Sequence, residues 1–290
     1  DSNQAYYIDY DMREEDDYAA ELGVGCKGKI GVLLQYLTAE HKSLLAQLLQ
    51  RMQSGVSSYL QQSYLAENKN QAQSNTLTML DSKGHILVST HPQSDKFHYE
   101  KITKAIALDK SHINTVLDKY ELSLTKISAP FNLWVFGGGS DVIPLVSMAA
   151  QLGWRVTVVD HRSSYARNSV FKQAADIFRV HPEDFFKSEN SEQVKLFQQL
   201  DAAVLMTHNL TLDAAWLQLL HSTNQAKYIG LLGPLERRSN VETLSGIADR
   251  AWLARVVNGP VGFDIGAASP SEIAVSILAE MLQVLRKGQV

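Results

Sequence analysis

The chain has 290 residues, enough for about two domains with a sizeable core, and its 45% hydrophobic and 20% charged content is ordinary for a globular protein. The net charge of −4, without any run of Lys or Arg, disfavours nucleic acid or an acidic membrane as a partner, and no apolar stretch is long enough to span a bilayer. The single cysteine, Cys26, excludes an internal disulfide and predicts a cytoplasmic location, and the start at Asp1 rather than Met leads us to expect more sequence upstream.

Residues 1–129 predict a smaller α+β domain that ends at Ala129-Pro130. Its first 21 residues are acidic and rich in tyrosine, which favours a solvated turn or helix start over a cation site. A glycine-rich loop with Cys26 then leads into the first strand. In chain order the patterns predict a strand at Lys29–Leu37, a helix at His41–Gln53 with an apolar stripe that includes Leu49, a polar loop or irregular helix at Gly55–Asn75, a hairpin of Thr76–Leu80 with His85–Ser89, and a strand at Leu122–Ile127.

The region from Leu133 to Asp160 predicts the β-α-β unit that opens a doubly wound parallel sheet. An apolar strand, Leu133–Phe136, leads into Gly137-Gly138-Gly139 (the glycine turn), and an amphipathic helix follows. Val156–Val159 then form a second apolar strand that ends at Asp160. Phosphates bind at such a turn because unpaired backbone N–H groups point there, and Asp160 has the spacing of a carboxylate that accepts ribose hydroxyls.

The dinucleotide fingerprint is nevertheless incomplete. Val142 occupies the position of the third glycine in G-x-G-x-x-G, and Asp141 brings negative charge to the place of a phosphate. The pattern favours a nucleotide-type site that includes Ser140 after the turn. The alternative is a Rossmann-like domain whose crevice is unused.

The alternation of strands and helices continues to the end of the chain. The predicted elements are strands at Ile177–Val180, Ala202–Met206 and Tyr228–Leu232, helices at Ser191–Leu200 and Leu212–His221, a helix that carries Glu236, and a last helix from Pro270 that is capped by Ser269 and Glu272. The fold class predicted for residues 130–290 is therefore α/β, a Rossmann-like domain with a parallel sheet.

In doubly wound folds, ligands bind beyond the carboxyl ends of the strands. His208 there is either a hydrogen-bonded histidine or a catalytic candidate, and Asp264 is either a turn-former or a ligand contact. Arg237 and Arg238 lie near a helix N-terminus, where cations are disfavoured unless an anion binds, so they are favoured as anion ligands. The residues predicted to line or close over this crevice are Asp160, His161, Arg162, His208, Asn209, Gly233, Arg237, Arg238, Gly262, Asp264 and Gly266.

Cys26 is either a small buried hydrophobe or a reactive thiolate. Glycines on both sides indicate an accessible loop, and the neighbouring Lys27 and Lys29 would favour the thiolate. A thiolate is a ligand for soft partners, so a catalytic, sulfur-handling or metal-contacting role is open. We expect Cys26 to be reachable by solvent and to lie on the side of its domain that faces the glycine turn.

These motifs resemble those of the XdhC/CoxI family, the accessory proteins of molybdenum enzymes of the xanthine dehydrogenase type. The resemblance covers most of the chain, with Gly23–Gly28 similar to a cysteine loop of the family's N-terminal domain. Its other parts are Val135–Gly139, Val156–Asp160 with Arg162, Met206–Asn209 with Asp213, Tyr228–Gly233 with Arg237 and Arg238, and Gly259–Ala267 with the helix that follows. Two departures are Ser140, where the family usually has His, and the lack of an upstream Ser-Gly-Gly-Cys segment.

The resemblance implies a chaperone rather than a catalyst. Such a protein binds molybdenum cofactor, as molybdopterin or its dinucleotide form, protects it while a cysteine desulfurase supplies the sulfido ligand, and inserts it into an apo molybdenum hydroxylase. The glycine turn suits the phosphate, Asp160 suits a ribose, and Cys26 suits molybdenum or sulfur. A homodimer is a further expectation.

Two other classes of function stay open. An NAD(P)-dependent oxidoreductase would use the same Rossmann-like domain, and Arg162 is close enough to Asp160 in the sequence to favour NADP. Against it stand the missing third glycine and the lack of an obvious hydride-site pair such as Tyr-x-x-x-Lys. A module that only binds a partner protein is the third class.

Overall fold

The computed structural model describes residues 5–11, 29–65, 75–90, 99–117, 120–187 and 192–287. The chain divides into two compact units, Asp1–Ala129 and Pro130–Val290. No helix within the described ranges combines the length and the hydropathy needed to cross a bilayer.

The first unit contains an antiparallel five-stranded sheet with the strand order β5-β4-β3-β7-β6, and an antiparallel pair β1-β2. Its elements are β1 (Ala5–Asp11), β2 (Lys29–Gln35), α1 (Ala39–Gln53), β3 (Ser58–Leu65), β4 (Asn75–Leu80), β5 (Ile86–Ser89), α2 (Tyr99–Ala107), β6 (His112–Leu117) and β7 (Tyr120–Ile127). Leu44 and Leu48 of α1 pack with Met79, whereas Ile102 of α2 packs with the adjacent Leu80. Adjacent strand residues point to opposite faces, so each face of the sheet is covered by a helix.

The sequence was misread in the middle of this unit. Residues 58–65, predicted as part of a polar loop or irregular helix, form β3, which lies at the centre of the sheet between β4 and β7. Gln61 is buried there, and such polar side chains concealed the strand from a reading of hydropathy. Helix α2 and strand β6 were also not predicted, and residues 5–11, predicted as part of a solvated turn or helix start, form β1. Leu49 of the predicted apolar stripe is 55% exposed.

The predicted hairpin of the first unit is confirmed. Strands β4 and β5 pair antiparallel, and the turn between them is organised by Asp81. One oxygen of this carboxylate accepts hydrogen bonds from the backbone N–H groups of Lys83 and His85, both at 2.8 Å. An aspartate that binds its own backbone two residues on is typical of a turn.

The second unit is a six-stranded sheet in which every paired neighbour is parallel, with the order β10-β9-β8-β11-β12-β13. Its elements are β8 (Asn132–Phe136), α3 (Val142–Gln151), β9 (Arg155–Val159), β10 (Asp176–Phe178), α4 (Glu192–Phe197), β11 (Ala202–Leu205), α5 (Leu210–Thr223), β12 (Tyr228–Leu231), α6 (Leu235–Ser245), α7 (Arg250–Val256), β13 (Val257–Asn258) and α8 (Pro270–Lys287). Counted within this unit the order is 3-2-1-4-5-6, that of the dinucleotide-binding Rossmann fold. The predicted fold class is confirmed.

Helices cover both faces of the parallel sheet. Leu133 and Val135 of β8 pack on one face with residues of α3 and α8, while Trp134 and Phe136 pack on the other with residues of α4, α5 and α7. The predicted capping box of α8 is confirmed, because Ser269 N–H donates to the Glu272 carboxylate at 2.7 Å and Glu272 N–H donates to Ser269 Oγ at 3.3 Å. Helix α7 was not predicted.

Candidate functional site

The glycine turn lies where the order of the parallel sheet reverses, between the carboxyl ends of β8 and β11. Gly137 has a φ of +124°, and a Cβ there would stand 2.3 Å from the carbonyl oxygen of Met206. Its N–H donates to the carbonyl of Val159 at 2.8 Å. Only glycine can therefore bring the chain this close to both neighbouring strands.

Asp160 follows β9 and lies against this turn. Its side chain is 2% exposed, and its Oδ2 accepts hydrogen bonds from Gly138 N–H at 2.8 Å and from Arg162 Nη2 at 2.7 Å. Its Oδ1 accepts from the backbone N–H of Arg162 at 2.9 Å and from Arg162 Nε at 3.0 Å. Four donors, about as many as a carboxylate has lone-pair positions, thus already contact this side chain.

These contacts determine the charge of Asp160. Burial by itself would raise the pKa of the carboxyl, but the hydrogen bonds from the Arg162 guanidinium and from the N–H groups of Arg162 and Gly138 outweigh burial, and the pKa lies below its usual range. The same pairing raises the pKa of Arg162. Both groups are therefore charged at neutral pH.

Tyr165 covers the same part of the turn. Its ring stacks on the Arg162 guanidinium, with 3.8 Å between Cζ and the ring centroid. A Cβ at Gly138 would stand 3.1 Å from the backbone carbonyl carbon of Tyr165. The segment after β9 consequently packs directly on the glycine turn.

The other end of the turn is open. No described residue accepts a hydrogen bond from the backbone N–H groups of Gly139, Ser140 and Asp141, which lead into α3. Beside them, Asp141 Oδ2 and His208 Nε2 are 3.0 Å apart, with side chains 28% and 60% exposed. Free N–H groups at a helix start, with a histidine next to them, can bind an anion, although the Asp141 carboxylate opposes one.

His208 is held by a buried network behind it. It has a φ of +59°, unusual for a residue with a side chain. The preceding Thr207 donates to Asp213 Oδ1 through its hydroxyl at 2.6 Å, and Arg237 Nη2 donates to Asp213 Oδ2 at 2.6 Å. Asp213 is 1% exposed, and Gly233 leaves room for Arg237, since a Cβ at Gly233 would stand 2.5 Å from the arginine Cδ.

Other predicted site residues have identified structural partners. Asn209 caps α5, its Oδ1 accepting from Thr211 N–H at 2.9 Å. Arg238 Nε donates to Glu242 at 2.7 Å. Asp264 is exposed and no described contact joins it to the glycine turn. Their roles toward a ligand stay predictions.

Cys26 lies outside the described residues, and so do Lys27 and the rest of its glycine-rich loop. In the part of the chain that the structure describes, no three His, Cys, Asp or Glu side chains come together as metal ligands would. A metal-contacting role of Cys26 therefore stays a prediction.

The loop that precedes α8, which contains Gly262, Asp264 and Gly266, is held at Gly262. Glu280 of α8 accepts hydrogen bonds from the Tyr228 hydroxyl at 2.5 Å and from Gly262 N–H at 2.9 Å. Burial raises the pKa of Tyr228, and the neighbouring Glu280 adds to this effect. Phe263 and Ile265 beyond the anchor are 38% and 56% exposed.

Three features of the site were not predicted from the sequence: the burial of Asp213, the packing of Tyr165 and the pairing of Asp141 with His208. Asp213 carries a signal, a carboxylate at a position of α5 that faces the apolar core. Tyr165 and the pairing of Asp141 with His208 carry none, because the contacts depend on how loops from separate strands meet. Side-chain pairing across a crevice is a tertiary property that periodicity does not encode.

Comparison with known proteins identifies the family. Residues 133–281 match the family model of the XdhC Rossmann domain. The chain is 30% identical over 282 residues, 97% of this chain and 76% of the relative, to a protein of Bacillus subtilis (strain 168) named as a probable subunit of xanthine dehydrogenase. It is 28% identical over 161 residues, 52% of this chain and 27% of the relative, to the uncharacterized protein YqeB of Escherichia coli (strain K12).

A solved structure has the same fold. It is described as a xanthine dehydrogenase from Bacillus halodurans and superposes with a TM-score of 0.69 at 24% identity, covering 99% of this chain and 77% of that one. The predicted family is confirmed by the match to the family model and by the Bacillus subtilis relative. The chain belongs to the XdhC family.

Proposed function

We propose that this protein is an accessory factor of a molybdenum hydroxylase of the xanthine dehydrogenase type. It binds molybdenum cofactor, shields it while a cysteine desulfurase provides sulfur, and inserts it into the apo-enzyme. Membership of the XdhC family carries the proposal, and the Bacillus subtilis relative, named as a probable xanthine dehydrogenase component, supports it. The cofactor supplies the hydroxylase with its redox-active metal, whereas the residues of this chain bind and orient it.

The open end of the glycine turn fits the anionic part of such a ligand. The N–H groups of Gly139, Ser140 and Asp141, for which no described residue is an acceptor, provide donors for a phosphate at the start of α3. The His208 imidazole, whose Nε2 is 3.0 Å from Asp141 Oδ2, is placed to donate to that carboxylate and so to lessen its repulsion of an anion. Asp160, by contrast, does not fit a ribose, because four donors already contact its oxygens.

The test is to purify the full chain from cells that make molybdenum cofactor and to quantify bound pterin by oxidation and fluorescence. We expect the wild type to retain pterin, and Gly139→Ala to retain several-fold less, because its Cβ would displace the Asp141 carboxylate, which lies 2.3 Å away, and would add bulk beside the N–H groups that bind the anion. Lys227→Ala, which removes an exposed ion pair with Asp201, is the control and should retain as much as the wild type. A wild type without pterin would contradict the proposal.

The role proposed for Cys26 has a separate test. Thiolates bind molybdenum and exchange sulfur, so Cys26→Ser should reduce the transfer of sulfurated cofactor to an apo-hydroxylase in a reconstitution assay. Thermal unfolding of the variant should match that of the parent. If the variant delivers cofactor as well as the parent does, the thiol has no part in the function.

A further inference from the structure

The carboxylate after the second strand of a Rossmann fold binds ribose when two of its acceptor positions are free. In this protein Asp160 has the expected place in the fold but not the free positions. Of the four hydrogen bonds that it accepts, three come from Arg162, two of them from the guanidinium. The residue that resembles a ribose ligand is thus paired with its own chain.

A ribose cannot readily replace this partner. The two guanidinium nitrogens bind both carboxylate oxygens, at 3.0 and 2.7 Å, an arrangement stronger than hydrogen bonds from neutral hydroxyls. Arg162 is also held from its other side by the ring of Tyr165, 3.8 Å away. The side chain of Asp160 is 2% exposed, so no second approach to its oxygens exists.

The protein's own groups also border the space that a pyrophosphate would take. The second glycine of a dinucleotide fingerprint leaves space for the phosphates, and in this chain that position is Gly139. The nearest atom to a Cβ built there is Asp141 Oδ1, at 2.3 Å, so the protein's own carboxylate borders that space. At Gly138 the backbone of Tyr165 is the neighbour, at 3.1 Å.

We propose that Arg162 is a specificity-determining residue that closes the nucleoside half of the crevice. By pairing with Asp160 it excludes ligands that need a ribose at the end of β9, NAD(P) among them. Ligands are then confined to the open end of the turn, beside His208. For the identity of the ligand, this proposal rests on the proposed function. It adds that the ligand binds without placing a ribose at Asp160.

The test is a calorimetric titration of the full chain with ADP and with 2′,3′-dideoxy-ADP, which lacks the ribose hydroxyls. We expect wild type to bind the two equally weakly. Arg162→Ala frees two acceptor positions on Asp160, so it should bind ADP at least about tenfold more tightly than the dideoxy compound. Arg179→Ala is the matched control, because its Nε donates to the carbonyl of Ala166 and not to Asp160.

Two further variants keep the test decisive. Arg162→Ala with Asp160→Asn should no longer prefer ADP to the dideoxy compound. That result would show that the ribose hydroxyls bind to the Asp160 carboxylate. Arg162→Ala with Tyr165→Ala removes the covering ring in addition. Tryptophan fluorescence verifies that each variant is folded.

Two results would overturn the inference. One is a wild type that already prefers ADP to the dideoxy compound. The other is the lack of any preference for ADP both in folded Arg162→Ala and in folded Arg162→Ala with Tyr165→Ala. Neither affects the pterin measurement, so a failure here is distinct from a failure of the proposed function.

Discussion

Each end of the glycine turn has an aspartate carboxylate, but the two carboxylates differ in burial and in the number of their hydrogen-bond partners. At one end, the Asp160 side (Asp160, Arg162 and Tyr165), a carboxylate 2% exposed accepts four hydrogen bonds. At the other end, the His208 side (Asp141 and His208), a carboxylate 28% exposed contacts one imidazole beside N–H groups that no described residue accepts. A saturated carboxylate stabilises the fold, whereas one with a single exposed partner is free to respond to a ligand.

Position in a fold does not by itself assign a role to a residue. Asp160 has the position of a ribose ligand, but its partners make it a brace between the turn and the segment after β9. Asp141 has a position where a phosphate would sit, and its described partner is the imidazole of His208, which is 60% exposed. The hydrogen-bond partners decide between these roles.

The largest expected effect concerns the buried support of the His208 side. Arg237→Ala leaves the carboxylate of Asp213, which is 1% exposed, without its charged partner. Uncompensated buried charges cost about 3–5 kcal/mol, so the free energy of unfolding should fall by that amount. The measurement is urea denaturation followed by tryptophan fluorescence, which reports the second unit because all 4 tryptophans belong to it.

Arg238→Ala is the matched control for this prediction. Arg238 pairs with Glu242 one helical turn away on α6, and both side chains remain partly exposed, at 25% and 15%. Its loss should lower the free energy of unfolding by less than about 1 kcal/mol. Equal losses in the two arginine variants would show that Asp213 does not depend on a buried ion pair.

A smaller effect, with a defined dependence on pH, is expected on the Asp160 side. Asp160→Asn weakens the pairing with Arg162 and should lower the free energy of unfolding by about 1.5–3 kcal/mol at neutral pH. The pKa of Asp160 in the folded protein lies below its usual value, so its contribution is complete above the unfolded-state pKa of about 3.9 and is lost as the pH falls through the folded-state pKa.

The difference between wild type and Asp160→Asn should therefore be constant near pH 7 and shrink below about pH 4. Urea denaturation at a series of pH values measures it. A difference that grows on acidification would mean that folding raises the pKa of this carboxyl, contrary to the contacts described.

The smallest effect on stability is expected at His208. Its φ of +59° is strained for a residue with a side chain but not for glycine, and its pair with Asp141 is exposed. His208→Gly should therefore change the free energy of unfolding by less than about 1 kcal/mol, whereas bound pterin should fall several-fold. His208→Asn is the control for backbone flexibility, because asparagine tolerates a positive φ but lacks the imidazole. It should lose bound pterin as His208→Gly does.

The parts of the fold that the sequence revealed are those encoded by local periodicity. Strand β8, the glycine turn, α3 and β9 follow one another with clear apolar patterns, and their order predicted the parallel sheet. Strand β3 was missed because the centre of an antiparallel sheet can accommodate polar side chains such as Gln61, which is buried. Hydropathy alone cannot separate such a strand from a loop.

The site was predictable as a place and not as a set of contacts. The carboxyl ends of the strands locate Asp160, Arg162 and His208 in the crevice, since the fold requires it. The pairing of Arg162 with Asp160 depends on the path of the segment after β9, which the sequence pattern does not show. The contact between His208 and Asp141 depends on how two loops pack together, and these two residues are 67 positions apart in the sequence.

The strand order also determines which side of the glycine turn forms first during folding. Gly138 and Asp160 are 22 residues apart and come together within one β-α-β unit, whereas β11 must pair with β8 across a much longer segment, Leu133 with Ala202. Closing the longer loop costs more chain entropy, so we expect the Asp160 side to assemble first. A nascent chain that has emerged up to β10 already contains every residue of the Asp160 side, whereas the His208 side is complete only after His208 and Arg237 have left the ribosome.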